Sequence, residues 1–232
     1  MISDYSRALI VGVGDGLSAS LARLLAREGM QIALAARNID KLDELKAETN
    51  GLAVSCDVAD RTQVSALFQT LDDACGAPDV VIFNPSRRTR GSIVELDPGA
   101  VAEALQVSAY GGFLVAQEAA KRMLLRQSGA LVFTGASASV KGYPNSAPFA
   151  MAKFALRGLA QSLARELQPQ GIHVGHVVID GAIRSPARSE PPDQPDSMLD
   201  PDAVARVYLG LLRQDRSAWS WEVEVRPWTE RF

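Results

Sequence analysis

Apolar residues recur along this chain with two alternating periods, and that alternation predicts its architecture. The short runs Ala8 to Val13, Gln31 to Ala35, Leu52 to Cys56, Asp79 to Phe83, Ala130 to Thr134 and Ile172 to Ile179 read as strands, most of them rich in branched residues as strands buried on both faces are. Between them apolar positions return at helical spacing: Leu17, Leu21, Leu24 and Leu25 in one helix, Ile39, Leu42 and Leu45 in a second, Val64, Leu67, Phe68 and Leu71 in a third. Local signals bound these helices. Asn38 and Asp60 stand as N-caps, Asn50-Gly51 ends the second helix, and Asp97-Pro98 opens a long helical region to about Arg126, with a break expected near Gly111-Gly112. Pro148 opens a helix through about Gln168, Asp202 to Arg213 forms the last helix, and Trp219 to Val225 a final strand. Strand and helix in alternation predict a single α/β domain over 1–232: a doubly wound parallel sheet of about seven strands with right-handed crossovers. Ser185 to Pro201, proline-rich and too long for a simple connection, resists assignment and sits where a lid could cover a site at the strand ends.

The period changes from strand to helix at a glycine-rich turn. Gly12, Gly14 and Gly16 let the backbone turn sharply and approach a ligand, and the helix beginning near Leu17 presents unpaired N–H groups and a positive dipole end to an anion. A pyrophosphate is the natural guest. Strand, glycine turn and helix together mark a Rossmann-type dinucleotide site, where a GxGxG string alone is weak evidence.

Composition narrows the partners. The chain has 232 residues, 47% hydrophobic and 22% charged, with a net charge of -3, so nothing electrostatic favours nucleic acid or an anionic membrane, and a small-molecule substrate is expected. No apolar run approaches the roughly 18 residues needed to span a bilayer. Cys56 and Cys75 lack disulfide-framework or metal-ligand spacing, and Met1 to Ser6 shows no basic, apolar leader, so a cytoplasmic location and no metal are expected. His173 and His176 alternate with Val174 and Val177 along a strand and read as structural rather than catalytic. Arg87, Arg88 and Arg90 read as a solvated loop ahead of an anion clamp, and Trp219, Trp221 and Trp228 as packing residues.

From Ser6 to Trp228 the chain resembles the short-chain dehydrogenases/reductases. That family's TGxxxGxG turn appears as Val11-Gly12-Val13-Gly14-Asp15-Gly16-Leu17-Ser18, with valine for its threonine and serine for its last glycine. Its adenine-contacting Asp matches Asp57-Val58, its NNAG segment keeps Asn84 alone, its active-site helix matches Phe149 to Leu159, and Asp180-Gly181 stands for its Pro-Gly. The resemblance implies cofactor contacts from Gly12, Asp15, Gly16, Leu17, Arg37, Asp57, Val58, Asn84, Lys153 and Ile183. It also implies a homodimer or homotetramer paired through the helices near Ala100 to Arg126 and Pro148 to Gln168. At the end of the second strand, Ala36-Arg37 offers an Arg for a 2'-phosphate and no acid for a free ribose, so NADP(H) is expected ahead of NAD(H).

The chemistry departs from the family. Its reductases use a Tyr that donates a proton, a Lys that lowers the Tyr pKa, a Ser that polarises the carbonyl and an Asn that holds a water relay. Here Phe149 stands at the Tyr position, Ala136 at the Ser position beside Ser137, and Ser108 where the Asn is expected; only Lys153 remains. Three readings stay open. One is an NADP(H) oxidoreductase acting on a carbonyl or enoyl substrate, using Lys153 with a substitute hydroxyl from Tyr143, Ser137 or Ser146. A second is a relative of the enoyl-acyl carrier protein reductases, which the chain resembles in Gly12 and Ser18, in Cys56-Asp57-Val58-Ala59 and in Pro144-Asn145 ahead of Lys153, although Ser146 stands where their Tyr lies. The third is a catalytically silent NADP(H)-binding sensor.

Overall fold

A computed structural model describes residues 5–230. The expectation about a leader at Met1 to Ser6 therefore falls mostly outside the described residues. Seven parallel strands form the main sheet: β1 (Arg7–Val11), β2 (Gln31–Ala36), β3 (Leu52–Ser55), β4 (Val80–Phe83), β5 (Gly129–Thr134), β6 (Ile172–Ile179) and, after two short strands described below, β9 (Glu222–Val225). Their spatial order is β3-β2-β1-β4-β5-β6-β9. The chain winds outward from β1 to β3, returns to lay β4 on the other side of β1, and continues outward. The switch between β1 and β4 opens a crevice at the carboxyl ends of the strands, where ligands of such sheets bind.

Side-chain alternation on β1 shows why the sheet is covered on both faces. Ala8 and Ile10 point into a core built with α1 (Leu17–Arg27), α2 (Asp43–Thr49) and α7 (Pro201–Leu212); Leu9 and Val11 point into a second core built with α3 (Arg61–Ala74), α5 (Gly111–Arg126) and α6 (Ala147–Leu167). The Asp60 and Asp97 caps are formed, whereas Asn38 accepts from the Asp40 N–H at 3.0 Å ahead of a 3-10 turn and α2 itself starts only at Asp43, with Leu42 at its N-cap. The Asp60 carboxylate accepts from the backbone N–H groups of Thr62 and Gln63, and Asp97 from that of Ala100. Asn50 takes the left-handed conformation, φ 47, at the end of α2.

The break expected at Gly111-Gly112 takes another form. α4 (Pro98–Leu105) runs through a π-helical segment, Gln106–Tyr110, straight into α5, and the two glycines lie inside the helix, packed against Val58 and against Leu156 and Phe83. Close packing, not chain reversal, is what requires them. One 18-residue window of the resulting 29-residue helix, mean hydropathy 1.2, is long and apolar enough to cross a membrane by composition, although Glu103, Gln106 and Gln117 interrupt the helix and it is no continuous apolar run. Its Leu114, Val115, Ala119 and Met123 are buried in the core of the domain.

The unassigned segment 185–201 also has structure. β7 (Ala182–Ile183) pairs in parallel with β8 (Met198–Leu199), and an Arg184–Asp200 ion pair of 2.7 Å closes the loop between them. The final strand is shorter than expected, because Trp219 to Trp221 precede the ladder.

Candidate active site

Two cavities of about 590 Å³ and 630 Å³ lie along the crevice and share Asn84 and Ser86 in their walls. β1 and β4 deliver their common boundary. Gly12, at φ +80, sits where an added Cβ would come within 2.7 Å of Pro85, so only glycine permits the two strand ends to lie this close. The Asn84 amide donates to the Ser18 hydroxyl at 2.6 Å, and that hydroxyl donates to the Gly12 carbonyl at 3.1 Å. Ser18, which replaces a glycine of the family pattern, thereby ties the glycine turn to the end of β4.

The second cavity gathers Gly12, Arg37, Asp57, Val58 and Asn84, as the sequence implied. It adds Lys41, a second cation beside Arg37 that sequence reasoning missed although it stands one helical turn away. Asp57 spends one carboxylate oxygen on the Ala59 N–H, 3.0 Å, which shapes the turn after β3. Leu17 and Ile183 line the first cavity. Asp15 and Gly16 line neither; they lie on the turn entering α1, Asp15 exposed and Gly16 beneath Ser185.

The first cavity brings together Lys153, Phe149, Ala136, Ser137 and Tyr143. Lys153 is fully buried on α6, and its Nζ donates to the Thr134 carbonyl at 2.7 Å. Burial, reinforced by the charge of Arg88, lowers its pKa from 10.5 to about 8. The Phe149 ring lies 5.9 Å from that Nζ, so the phenyl group stands beside the lysine with no hydroxyl to offer. Ser108, buried in the π-helical segment, accepts a hydrogen bond from the Arg87 N–H at 3.1 Å and so anchors the loop after β4. Ser139 is buried too, its hydroxyl accepting from the Ala136 N–H at 3.1 Å. Of the cavity hydroxyls near Ala136, Thr134 is paired with the Tyr208 hydroxyl at 2.9 Å, which leaves Ser137 and Tyr143.

The arginine loop divides. Arg87 turns out to an ion pair with Glu103, 2.6 Å, in keeping with a solvated loop, but Arg88 lines the first cavity with its guanidinium 4.5 Å above the Phe149 ring. The sequence held an anion clamp as the lesser reading of this loop, but it missed Arg188 in the lining of the same cavity, because that position belongs to no periodic element. Asp180, in place of the family's proline, is buried and paired with Lys141 at 3.2 Å and with Arg226 at 3.7 Å.

Both histidines serve the sheet. His173 stacks on Trp219, centroids 4.6 Å apart, and its Nε2 meets the Ser220 carbonyl at 2.9 Å. His176 is fully buried; its Nδ1 meets Glu222 at 3.0 Å, and Glu222 also receives Arg157 of α6 at 2.7 Å. Burial lowers the His176 pKa from 6.5 to about 4. Trp221 lies under Arg157, whereas Trp228 does not pack on the sheet: it is 82% exposed and bonded to Asp196.

Comparison with known proteins gives one consistent pattern. A family model described as enoyl-(acyl carrier protein) reductase matches residues 12–215. An uncharacterized oxidoreductase of Staphylococcus aureus is 28% identical over 95% of this chain and 96% of its own. A solved short-chain dehydrogenase from Rhodopseudomonas palustris is 35% identical, covers 96% of this chain and 99% of its own, and superposes with a TM-score of 0.83. The alcohol dehydrogenase of the archaeon Thermococcus sibiricus, solved with 5-hydroxy-NADP, shares the fold at 22% identity and a TM-score of 0.86, over 97% of this chain and 98% of that one.

Proposed function

We propose, from the premise that this chain belongs to the short-chain dehydrogenase/reductase family, that it is an NADP(H)-dependent oxidoreductase acting on a small carbonyl compound. The observation that carries this reading is the continuity of the two cavities past Asn84 and Ser86, with Arg37 and Lys41 at one end and Lys153 at the other. The residues fit such a dinucleotide. Arg37 and Lys41 match a 2'-phosphate, Asp57 and Val58 the adenine, the glycine turn and the α1 N-terminus the pyrophosphate, and Lys153 a ribose hydroxyl. When bound, the dinucleotide supplies or accepts the hydride.

The chain's own part is orientation and proton supply. Thr134 holds the Lys153 ammonium in place, and a pKa near 8 lets it release a proton close to neutral pH. Ser137 and Tyr143 line the same cavity and supply the hydroxyls to polarise a carbonyl. Cys56 and Cys75 are free thiols, in keeping with a reducing cytoplasm. We assign a homodimer or homotetramer on the half-exposed Tyr110, Phe113, Met151 and Phe154 of the helices α4–α5 and α6.

NADPH oxidation against ketones, quinones and enoyl thioesters tests the reading. Turnover of a ketone supports it, and turnover of enoyl thioesters alone moves the activity to the reaction named in the matching family model. Tight NADPH binding without turnover on any of them marks a silent sensor, which the Phe149 and Ser108 replacements favour.

A further inference from the structure

Three arginines near the crevice have a carboxylate partner: Arg87 has Glu103, Arg157 has Glu222 and Arg184 has Asp200. Among the described residues, Arg88, Arg90 and Arg188 are in ion-pair range of none. Arg88 and Arg188 both line the first cavity, and Arg88 and Arg90 line a third of about 550 Å³ that adjoins it at Ser137, Tyr143 and Phe149. The carboxylates on the wall do not cancel them. Asp180 is committed to Lys141 and Arg226, and Glu230 is exposed at the rim.

Neither guanidinium hangs on a loose loop. On one side of Arg88, Ser108 holds the Arg87 N–H; on the other, the Gly91 N–H donates to the Asn145 carbonyl at 3.1 Å. The Phe149 ring then supports the guanidinium from one face, leaving its N–H edges for a ligand. Arg188 closes a tight turn with Ser185 through paired backbone hydrogen bonds of 3.0 and 2.9 Å. Burial lowers the pKa of Arg88, and Arg90 and Arg188 lower it further. Cations that repel one another in a half-closed cavity are relieved by an anion placed between them.

We propose that Arg88 and Arg188 form the substrate-recognition pair of this cavity and that the substrate carries an anionic oxygen group, a carboxylate of its own or a phosphate on an attached carrier arm. This rests on the reading that the same cavity receives the dinucleotide's reactive end. Phe149 then gains a role that the loss of the proton-donating hydroxyl leaves unexplained: it is the platform on which Arg88 lies.

Isothermal titration of the NADP+-loaded protein tests the pair, because bound NADP+ keeps a probe anion from Arg37 and Lys41. The probes are malonate for a carboxylate, inorganic phosphate for a carrier arm and malonamide as the neutral control. Malonate or phosphate is expected to bind and malonamide not; the tighter anion identifies the source. Arg88→Gln and Arg188→Gln should each weaken that binding roughly tenfold while NADP+ affinity and the circular dichroism spectrum stay unchanged. Absence of anion binding to the loaded protein, or binding that both substitutions leave intact, overturns the proposal. Should NADP+ itself fail to bind, the dinucleotide reading falls, and the titration is run on the free protein with Arg37→Gln and Lys41→Gln in place. Anion binding that still depends on Arg88 and Arg188 then upholds the pair, and binding that does not overturns it.

Discussion

At the scale of single residues, the proposed site carries Phe149 where the family resemblance expects the proton-donating tyrosine. Phe149 lies beside Lys153 as a tyrosine would, so restoring the hydroxyls tests how much machinery is left. Phe149→Tyr with Ala136→Ser should raise NADPH oxidation with a small activated diketone. Each single change should give less, because proton donor and carbonyl polariser act as a unit. A double variant that folds, binds NADPH and shows no gain would place the reacting carbonyl away from both positions. Arg37 carries a second prediction. It lines the adenosine end of the crevice with Lys41, and positions 35 and 36 at the end of β2 are alanines rather than an acid for a free ribose, so NADPH should bind more tightly than NADH. Arg37→Ala should cut that preference by roughly tenfold, a charge-assisted hydrogen bond being worth about 1.5–3 kcal/mol. Equal dissociation constants for the two cofactors in the unmodified protein would refute it.

At the scale of elements, β6, β9 and α6 are joined by a half-buried polar tie in which Glu222 receives both the buried His176 and Arg157. Burial of His176, which outweighs the opposing pull of Glu222, makes stability depend on pH. In the folded state the His176 pKa stands at about 4 against 6.5 when unfolded, so between these values only the unfolded chain takes up the proton. Stability is complete above pH 6.5 and is lost as the pH falls towards 4, by about 2–3 kcal/mol for this group. Glu222, whose pKa Arg157 and His176 hold down, adds loss in the same direction under more acid conditions. Urea unfolding at pH 7 and pH 4.5 should show the drop in the unmodified protein and a smaller one in His176→Gln. An equal drop in both would assign the pH dependence to other groups.

At the scale of the whole molecule, the fold places its chemistry by topology. The reversal of winding between β1 and β4 puts Gly12 and Asn84 side by side although they are distant in sequence, and the loops after β4, β5 and β6 all open onto the same edge. Along α5 and α6 Phe113 is 41% and Phe154 44% exposed, and the half-exposed Tyr110 stacks on Phe113 with centroids 6.1 Å apart, so apolar surface is left open on these helices. Sedimentation velocity should therefore report a dimer or tetramer, and Phe113→Glu with Phe154→Glu should shift it towards monomer without loss of secondary structure. A monomer in the unmodified protein would show that these rings serve the fold alone.

What the sequence determined by itself is whatever depends on neighbours in the chain. Period-two and period-3.6 apolar patterns name the strands and helices, the Asp60 and Asp97 caps mark helix starts, and the glycine turn with Arg37 after β2 locates the phosphate-binding half of the crevice. These are local effects of backbone geometry, and Lys153 and Phe149 could be placed because α6 carries them at a recognisable spacing. Tertiary structure alone decided the rest. Arg87, Arg88 and Arg90 look alike in sequence, yet one pairs with Glu103 and another stacks on Phe149, because the partners come from α4 and α6. Arg188 meets the same cavity only after β7 and β8 fold back the segment that no local pattern could assign. The charge of a site depends on which side chains converge and which remain unpaired, and convergence across distant elements leaves no period along the chain.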